Sequence, residues 1–194
     1  MTITIIRHGQ TAWNAQRRMQ GHTDIALCDI GRLQAEKVAA RLATAACDVI
    51  YTSDLVRAAK TAEVIAARHS AEIVTTPILR EFSYGIFEGR IWDEVQAEMD
   101  VYRNNGETFP GAEEREVVRT RLCAFVDEIA SRNHKHVFIV SHGGTIAAMI
   151  CHLLGVSYEH RTNFRVGNTA LYRFKREGGE FVMTLENDMY HLQV

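Results

Sequence analysis

The sequence has no long hydrophobic run and no surplus of charge of one sign. Nowhere do the 194 residues approach the roughly 20 consecutive apolar residues of a membrane span. The first apolar run, at 3–6, stops at Arg7 and is too short for the core of a signal peptide. The formal net charge of −2 gives no general field that would attract nucleic acid or an acidic membrane. We therefore expect neither partner, and any anion site must be a local cluster of positive groups.

The sequence also lacks the cysteine patterns of metal sites and disulfide frameworks. Its four cysteines are scattered, without a C-x-x-C pair or a His spacing typical of zinc, at Cys28, Cys47, Cys123 and Cys151. We expect them to be small buried hydrophobic residues in a reducing compartment, which predicts a cytoplasmic protein. No metal site and no cofactor is predicted.

Helix-like and strand-like segments alternate along the chain, a pattern typical of an α/β fold with a mainly parallel sheet. Repeats, low-complexity segments and linkers are missing from the sequence, so residues 1–194 are predicted to form one domain. The stretch at about 82–112 loses clear periodicity; we call it the excursion and expect it to cross the sheet, with a short helix near 92–99. Strands are predicted at 3–6, 48–51, 72–75, 136–141, 165–174 and 180–185, and helices at 35–46, from a cap at Ser53 to 66, at 118–129 and at 145–154.

Two predicted strands each end in a histidine followed by glycine. The strand at 3–6 leads into Arg7–His8–Gly9, and the strand at 136–141 leads into His142–Gly143–Gly144. Because ligands of open α/β sheets bind beyond the carboxyl ends of the strands, one site built from both is expected. The helix after His142 would also turn free N–H groups toward an anion. The alternative for each segment is a plain turn that lets strand and helix pack closely.

Arg57 and Glu81 are the other candidates for chemistry on a phosphate. Arg57 lies near the start of the helix expected after Ser53, where the helix dipole disfavours a lone cation and a bound anion would remove the conflict. Arginine also suits phosphate, because its planar fork donates two hydrogen bonds at once. The alternative is a surface arginine paired with Asp54 or Glu63.

Glu81 follows a strand and a turn, where a carboxylic acid could protonate a departing alkoxide. Glu88 is a rival for this role, although Gly89 beside it favours a turn. A solvated glutamate is the alternative for both.

Taken in order, these motifs resemble the histidine phosphatase superfamily, which includes the cofactor-dependent phosphoglycerate mutases. The resemblance runs from residue 3 to about 170 and implies a three-layer α/β/α sandwich. The matching pieces are Arg7–His8–Gly9–Gln10–Thr11 with Trp13–Asn14, Gln20–Gly21 with Asp24 and Leu27, Ser53–Asp54–Leu55 with Arg57–Ala58 and Thr61–Ala62, Leu79 and Glu81 with Gly85 and Glu88–Gly89, Pro110–Gly111 with Glu113, and Val140–Ser141–His142–Gly143–Gly144.

The resemblance implies a covalent mechanism and assigns the roles. His8 would attack phosphorus and become phosphorylated, and Glu81 would protonate the leaving oxygen and then activate water. The equatorial oxygens would be held by Arg7, Arg57 and His142, with Asn14 and the Gly143 N–H in support. Gln20, Gly21 and Tyr84 are placed with them as substrate-binding residues.

Three functions remain open at this stage. A metal-independent phosphatase acting on a small phosphorylated metabolite is favoured over a mutase, because the excursion is short and its stretch between Gly89 and Pro110 holds only Arg90 and Arg103 as basic residues. A non-catalytic phosphate-binding module is the third. The aromatic residues of the excursion either contact the substrate or anchor the excursion to the sheet. A homodimer is left open.

Overall fold

The computed structural model describes residues 1–193, in which six strands form one sheet with helices on both faces. The strands are β1 (Thr2–Arg7), β2 (Val49–Ser53), β3 (Glu72–Thr76), β4 (His136–Ser141), β5 (Leu171–Glu177) and β6 (Glu180–Asp188). They lie in the order β3-β2-β4-β1-β5-β6. The first four are parallel, and β5 pairs antiparallel with both β1 and β6. The predicted α/β/α sandwich with a mainly parallel sheet is confirmed.

Alternation along the central strands builds a separate core on each face of the sheet. Ile3 and Ile5 of β1 face a core shared with helices α5 (Arg115–Ser131) and α6 (Gly143–Leu153), whereas Ile6 faces a core shared with α2 (Asp29–Leu42) and α3 (Val56–Ala66). Successive side chains of a strand point to opposite faces, so a continuous apolar run indicates a strand covered on both sides. Complete burial of such a side chain contributes about 1.5–3 kcal/mol.

Helices α1 to α6 fill the two outer layers and the rim of the sheet. Their bounds are α1 (Ala12–Ala15), α2 (Asp29–Leu42), α3 (Val56–Ala66), α4 (Trp92–Asn105), α5 (Arg115–Ser131) and α6 (Gly143–Leu153), and 3-10 turns lie at Pro77–Leu79, Gly85–Phe87, Tyr158–Asn163 and Tyr190–Leu192. The helix at 35–46 ends earlier than predicted, at Leu42, and Ala46 is exposed. The helix expected near 92–99 continues to Asn105 and ends at Gly106, which has a φ of 70°.

The predicted cap at Ser53 is wrong. Ser53 is the last residue of β2, and the N-cap of α3 is Leu55, in extended conformation. The Ser53 hydroxyl still accepts a hydrogen bond from the Leu55 N–H at 3.3 Å, so it stabilises the turn rather than the first helical turn. The buried face of α3 includes Ala58, whereas Ala59 is only half-buried.

The strand predicted at 165–174 begins only at Leu171. Thr169 has a φ of 56°, which breaks the extended conformation before the strand. The carbonyl oxygens of Arg165 and Val166 accept hydrogen bonds from the Tyr172 hydroxyl and the Arg7 guanidinium. These residues therefore serve side chains of the interior instead of a β-ladder.

The aromatic residues of the excursion pack on one another. Phe87 is fully buried, and its ring meets those of Tyr102 and Phe109 edge to face at centroid distances of 6.1 and 4.9 Å. Met19 belongs to the same cluster and ties it to the loop that follows α1. The rings therefore pack within the excursion and against that loop rather than on the sheet, since no member of the cluster lies in a strand.

Two further expectations concern the chain as a whole. Within residues 1–193, no helix is both long enough and apolar enough to cross a membrane. Cys151 is buried as expected, whereas the other three cysteines are half-buried, and all four are free thiols.

Candidate active site

The register of the two central strands brings the predicted histidines together. β1 and β4 pair with Arg7 opposite Ser141, so the next residues along, His8 and His142, leave the sheet side by side. Their ring centroids are 5.1 Å apart, and the rings are 2% and 1% exposed. The expectation that the two strand ends meet is therefore correct.

His8 is held as a neutral ring with one nitrogen left bare. Its Nδ1 lies 2.6 Å from the carbonyl oxygen of Gly9. A carbonyl only accepts, so Nδ1 carries the proton and Nε2 keeps its lone pair. Burial, with the nearby charges of Arg7 and Arg57, holds the pKa of His8 well below its usual range. This state is the one that a nucleophilic imidazole needs.

His142 has the opposite arrangement. Its Nδ1 accepts a hydrogen bond from Arg57 Nε at 3.2 Å, which places the ring proton on Nε2. Within residues 1–193, that buried Nε2 has no hydrogen-bond partner. Burial, followed by the charges of Arg57, His8 and Arg7, lowers the pKa of His142 well below its usual range. The ring that neighbours His8 therefore carries a neutral N–H donor without an acceptor among the described residues.

Arg57 is a buried cation anchored by backbone oxygens, which rules out the surface alternative. It is 1% exposed, and its Nη1 and Nη2 donate to the carbonyls of Thr23 and Gly21 at 2.9 and 2.8 Å. Asp54 pairs with Arg80, and Glu63 pairs with Lys60. Burial lowers the pKa of Arg57 to about 10, against the opposing charge of Glu81.

Arg7 also presents a donor without an acceptor. Its Nη1 donates to the carbonyl of Val166 at 2.5 Å, while its buried Nε has no hydrogen-bond partner in the part of the chain that the structure describes. A Cβ on Gly143 would lie 3.6 Å from that Nε, so the start of α6 is directly beside it. Burial lowers the pKa of Arg7, although the charge of Glu81 opposes this.

In the first turn of α6, the N–H groups of Gly144 and Thr145 are engaged within the protein, whereas the role expected for the Gly143 N–H stays a prediction. The Gly144 and Thr145 N–H groups both donate to the carboxyl group of Glu81. Oε1 accepts from the N–H of Thr145 and Oε2 from the N–H of Gly144, both at 3.0 Å. The Phe82 N–H also donates to Oε1, at 3.0 Å. Oε2 therefore has more unused acceptor capacity than Oε1, and it is the better place for a transferable proton.

The four remaining predicted residues lie around this centre. Asn14 Oδ1 accepts from the Thr11 N–H at 3.0 Å, which leaves the Asn14 amide N–H groups for a ligand, and the buried Gln20 lies 3.0 Å from the Thr11 hydroxyl. Gly21 has a φ of 55° and holds Arg57 through its carbonyl. Tyr84 is half-buried at the start of the turn Gly85–Phe87, and burial raises the pKa of its hydroxyl.

Sequence reasoning missed the residues behind the nucleophile. Asn168 Nδ2 donates to the carbonyl of His8 at 3.1 Å, and the buried Thr169 donates its N–H to the carbonyl of Arg7 at 3.2 Å. The Thr61 hydroxyl accepts from the Gly9 N–H at 3.1 Å. Thr61 lies in a quoted motif; the other two carry no signal beyond the expectation that a strand ran through them.

Metal ligation is a separate question. Across residues 1–193, His, Cys, Asp and Glu side chains form no group of three or more that could hold a metal ion. Metal independence of the reaction stays a prediction.

The chain is similar in sequence and in structure to known phosphatases and phosphoglycerate mutases. A sequence model of the histidine phosphatase superfamily (branch 1) matches residues 3–189. The putative phosphoserine phosphatase 2 of Hydrogenobacter thermophilus is 30% identical, over 97% of this chain and 96% of that protein. A probable phosphoglycerate mutase of Erwinia tasmaniensis is 29% identical, over 100% of this chain and 95% of its own length. The phosphoserine phosphatase of Entamoeba histolytica, solved with phosphoserine, superposes with a TM-score of 0.86 at 28% identity and covers 98% of both chains.

Proposed function

The chain belongs to the histidine phosphatase superfamily, and on that premise we propose that it is a phosphatase of small phosphorylated metabolites, working through a phosphohistidine on His8. One observation carries the proposal. The His8 ring, with its proton on Nδ1, lies 5.1 Å from the ring of His142 and close enough to Arg7 to feel its charge, and the buried His142 Nε2 and Arg7 Nε are two donors without acceptors among residues 1–193. A phosphoryl group bound there would accept from both while facing the nucleophile.

The chemistry then takes two steps. In the first, His8 Nε2 forms a bond to phosphorus, the bond from phosphorus to the leaving oxygen breaks, and Glu81 gives that oxygen a proton. In the second, Glu81 takes a proton from water, the water oxygen attacks phosphorus, and the N–P bond breaks. Arg7 and Arg57 neutralise the charge on the phosphoryl oxygens in both steps, and neutral His142 donates a hydrogen bond to them, so the proposed steps need no metal ion.

Hydrolysis is favoured over mutase activity by the state of the excursion's cations. Arg90 is paired with Glu98 at 2.8 Å and lies over the ring of Phe87. Arg103 is paired with Asp100 at 2.7 Å. Cations already engaged in this way are less available to bind the second acidic group of a phosphoglycerate.

Phosphate release is the direct test. Purified protein with chelator is incubated with an aryl phosphate and with a metabolite panel that starts from phosphoserine, the ligand of the Entamoeba relative. We expect turnover without added metal. Turnover of phosphoglycerate to its isomer without phosphate release would favour a mutase, and failure on every substrate would favour a non-catalytic binding module.

The nucleophile is tested by trapping. Labelled substrate should leave acid-labile phosphate on His8, and His8→Ala should abolish turnover while keeping the circular dichroism of the parent. Label on another residue, or substantial turnover by the alanine variant, would remove His8 from this role.

A further inference from the structure

The carboxylate of Glu88 is held by a loop, and none of its hydrogen bonds among the described residues goes to His8 or His142. Oε1 accepts hydrogen bonds from the N–H groups of His22 and Tyr84, each at 3.0 Å. Oε2 accepts from the N–H of Thr23 at 2.9 Å and from its hydroxyl at 2.5 Å. Four close donors from two loops therefore converge on one side chain, and the Ser83 hydroxyl is a more distant fifth donor, at 3.4 Å from Oε1.

The other side of the same loop holds Arg57. The carbonyls of Gly21 and Thr23 accept from its two Nη atoms, and its Nε donates to His142. Backbone at 21–23 is thus clamped between a carboxylate and a guanidinium. The fit is tight, since a Cβ on Gly21 would lie 2.0 Å from Glu88 Oε1.

We propose that Glu88 is a positioning residue for Arg57: it fixes the loop at 21–23, whose carbonyls aim the guanidinium at the phosphoryl site and at His142. This inference rests on the function proposed above. It also reassigns Glu88, which the sequence offered as a rival proton donor. Both of its oxygens are occupied by loop donors, which leaves it no part in proton transfer.

The charge state of Glu88 agrees with this role. Burial raises its pKa, but the hydrogen bonds from the Thr23 hydroxyl and from the N–H groups of His22, Tyr84 and Thr23 outweigh burial, and the pKa is lowered overall. The side chain is ionised at neutral pH, which is the form that accepts all four bonds.

A double-mutant cycle tests the proposal. In Glu88→Gln, one oxygen becomes an NH2 group that cannot accept, so the loop loses part of its clamp. We expect kcat for an aryl phosphate to fall about tenfold with little change in KM, because Arg57 acts on charge in the transition state. In an Arg57→Lys background the same substitution should cost less than about twofold, since the residue it positions is already gone.

Glu113→Gln is the matched control. Glu113 is another half-buried carboxylate of this region; it accepts from the Ser83 N–H and contacts the His22 ring, but not the backbone at 22–23. Its effect should multiply with that of Arg57→Lys. If the losses of kcat from Glu88→Gln and Arg57→Lys also multiply, the proposal is overturned. A Glu88→Gln variant with a lowered melting temperature and unchanged kcat would overturn it as well.

A second measurement does not depend on turnover. The 15N NMR shifts of the His142 ring should show one tautomer, with Nδ1 as the acceptor and the proton on Nε2. In Glu88→Gln, a second tautomer with the proton on Nδ1 should also be populated. An unchanged ring spectrum would overturn the proposal even if the protein catalyses a different reaction. Should Glu88→Gln fail to fold, Thr23→Val removes only the hydroxyl bond, and the same cycle and spectrum apply with a smaller loss expected.

Discussion

Arg57→Lys separates geometry from charge at the phosphoryl site. Lysine keeps the positive charge but replaces a planar five-donor fork by a compact ammonium. Three fork donors are committed, to the carbonyls of Gly21 and Thr23 at 2.8 and 2.9 Å and to His142 Nδ1 at 3.2 Å. No described residue accepts from the other two, which point to a phosphoryl group in the proposed function.

The expected magnitude follows from these contacts. An ammonium at this position leaves at least one buried carbonyl without its donor, which costs about 1–3 kcal/mol of stability. Loss of one charge-assisted contact to the phosphoryl group costs at least about 1.4 kcal/mol, or tenfold in kcat/KM. The loss grows further where the His142 ring is no longer held with its proton on Nε2.

Two assays measure the result: steady-state turnover of an aryl phosphate and equilibrium unfolding in urea. Arg132→Lys is the control, because Arg132 is an exposed guanidinium that binds Glu128 and the Tyr51 hydroxyl beyond the end of α5. It should change stability by less than about 0.5 kcal/mol and leave turnover unchanged. Kinetics of Arg57→Lys within about twofold of the parent would refute the reasoning, since geometry would then add nothing to charge.

Three further predictions concern the acid, the loop and the histidines. Glu81→Gln should slow alkyl phosphates by about 10²–10⁴ while aryl phosphates still give a burst of phenol, and equal damage in single-turnover phosphorylation would argue against Glu81 as the acid. Gly21→Ala, with a φ of 55° and a carboxylate 2.0 Å from the new Cβ, should lower the melting temperature more than Gly106→Ala, where φ is 70° and nothing lies within 4 Å; equal losses would show that the clamp is slack. As pH falls below about 6.5, histidines of the unfolded chain bind protons, whereas the buried His8 and His142 of the folded chain stay neutral. The free energy of unfolding should therefore drop by about 1.4 kcal/mol per pH unit for each ring. A flat profile from urea unfolding would contradict their lowered pKa values.

The sequence predicted the centre of the site well because parallel strands share a direction. His8 and His142 each follow a buried strand, and all carboxyl ends of a parallel sheet open to the same edge. Strand order could not be read from the pattern, and it is the pairing of β1 with β4 that turns a shared edge into adjacent rings. The order of the motifs along the chain strengthened the prediction that Arg57 and Glu81 belong to the site.

Backbone groups account for what the sequence could not show. Arg57 is anchored by carbonyls of Gly21 and Thr23, and a carbonyl carries no residue signature. The free N–H groups of α6 were expected to meet a phosphate, yet Gly144 and Thr145 donate to Glu81, a partner more than 60 residues away along the chain. Thr169 adopts a φ of 56°, which a β-branched residue rarely does. The local sequence therefore gave no sign that the chain before β5 is irregular.

In the proposed reaction, the half-buried Arg7 and the buried Arg57 each act twice. Before substrate binds, Arg7 and Arg57 lie close enough to His8 to lower its pKa, together with burial, and this keeps Nε2 unprotonated. Once a phosphoryl group is bound, the same charges face its oxygens, and the repulsion that opposed an imidazolium is offset by the incoming anion. The carboxyl group of Glu81 is bound instead by the first N–H groups of α6, those of Gly144 and Thr145. The proposed nucleophile and the proposed acid thus have different surroundings, because two cations lie near the first and helix N–H groups bind the second.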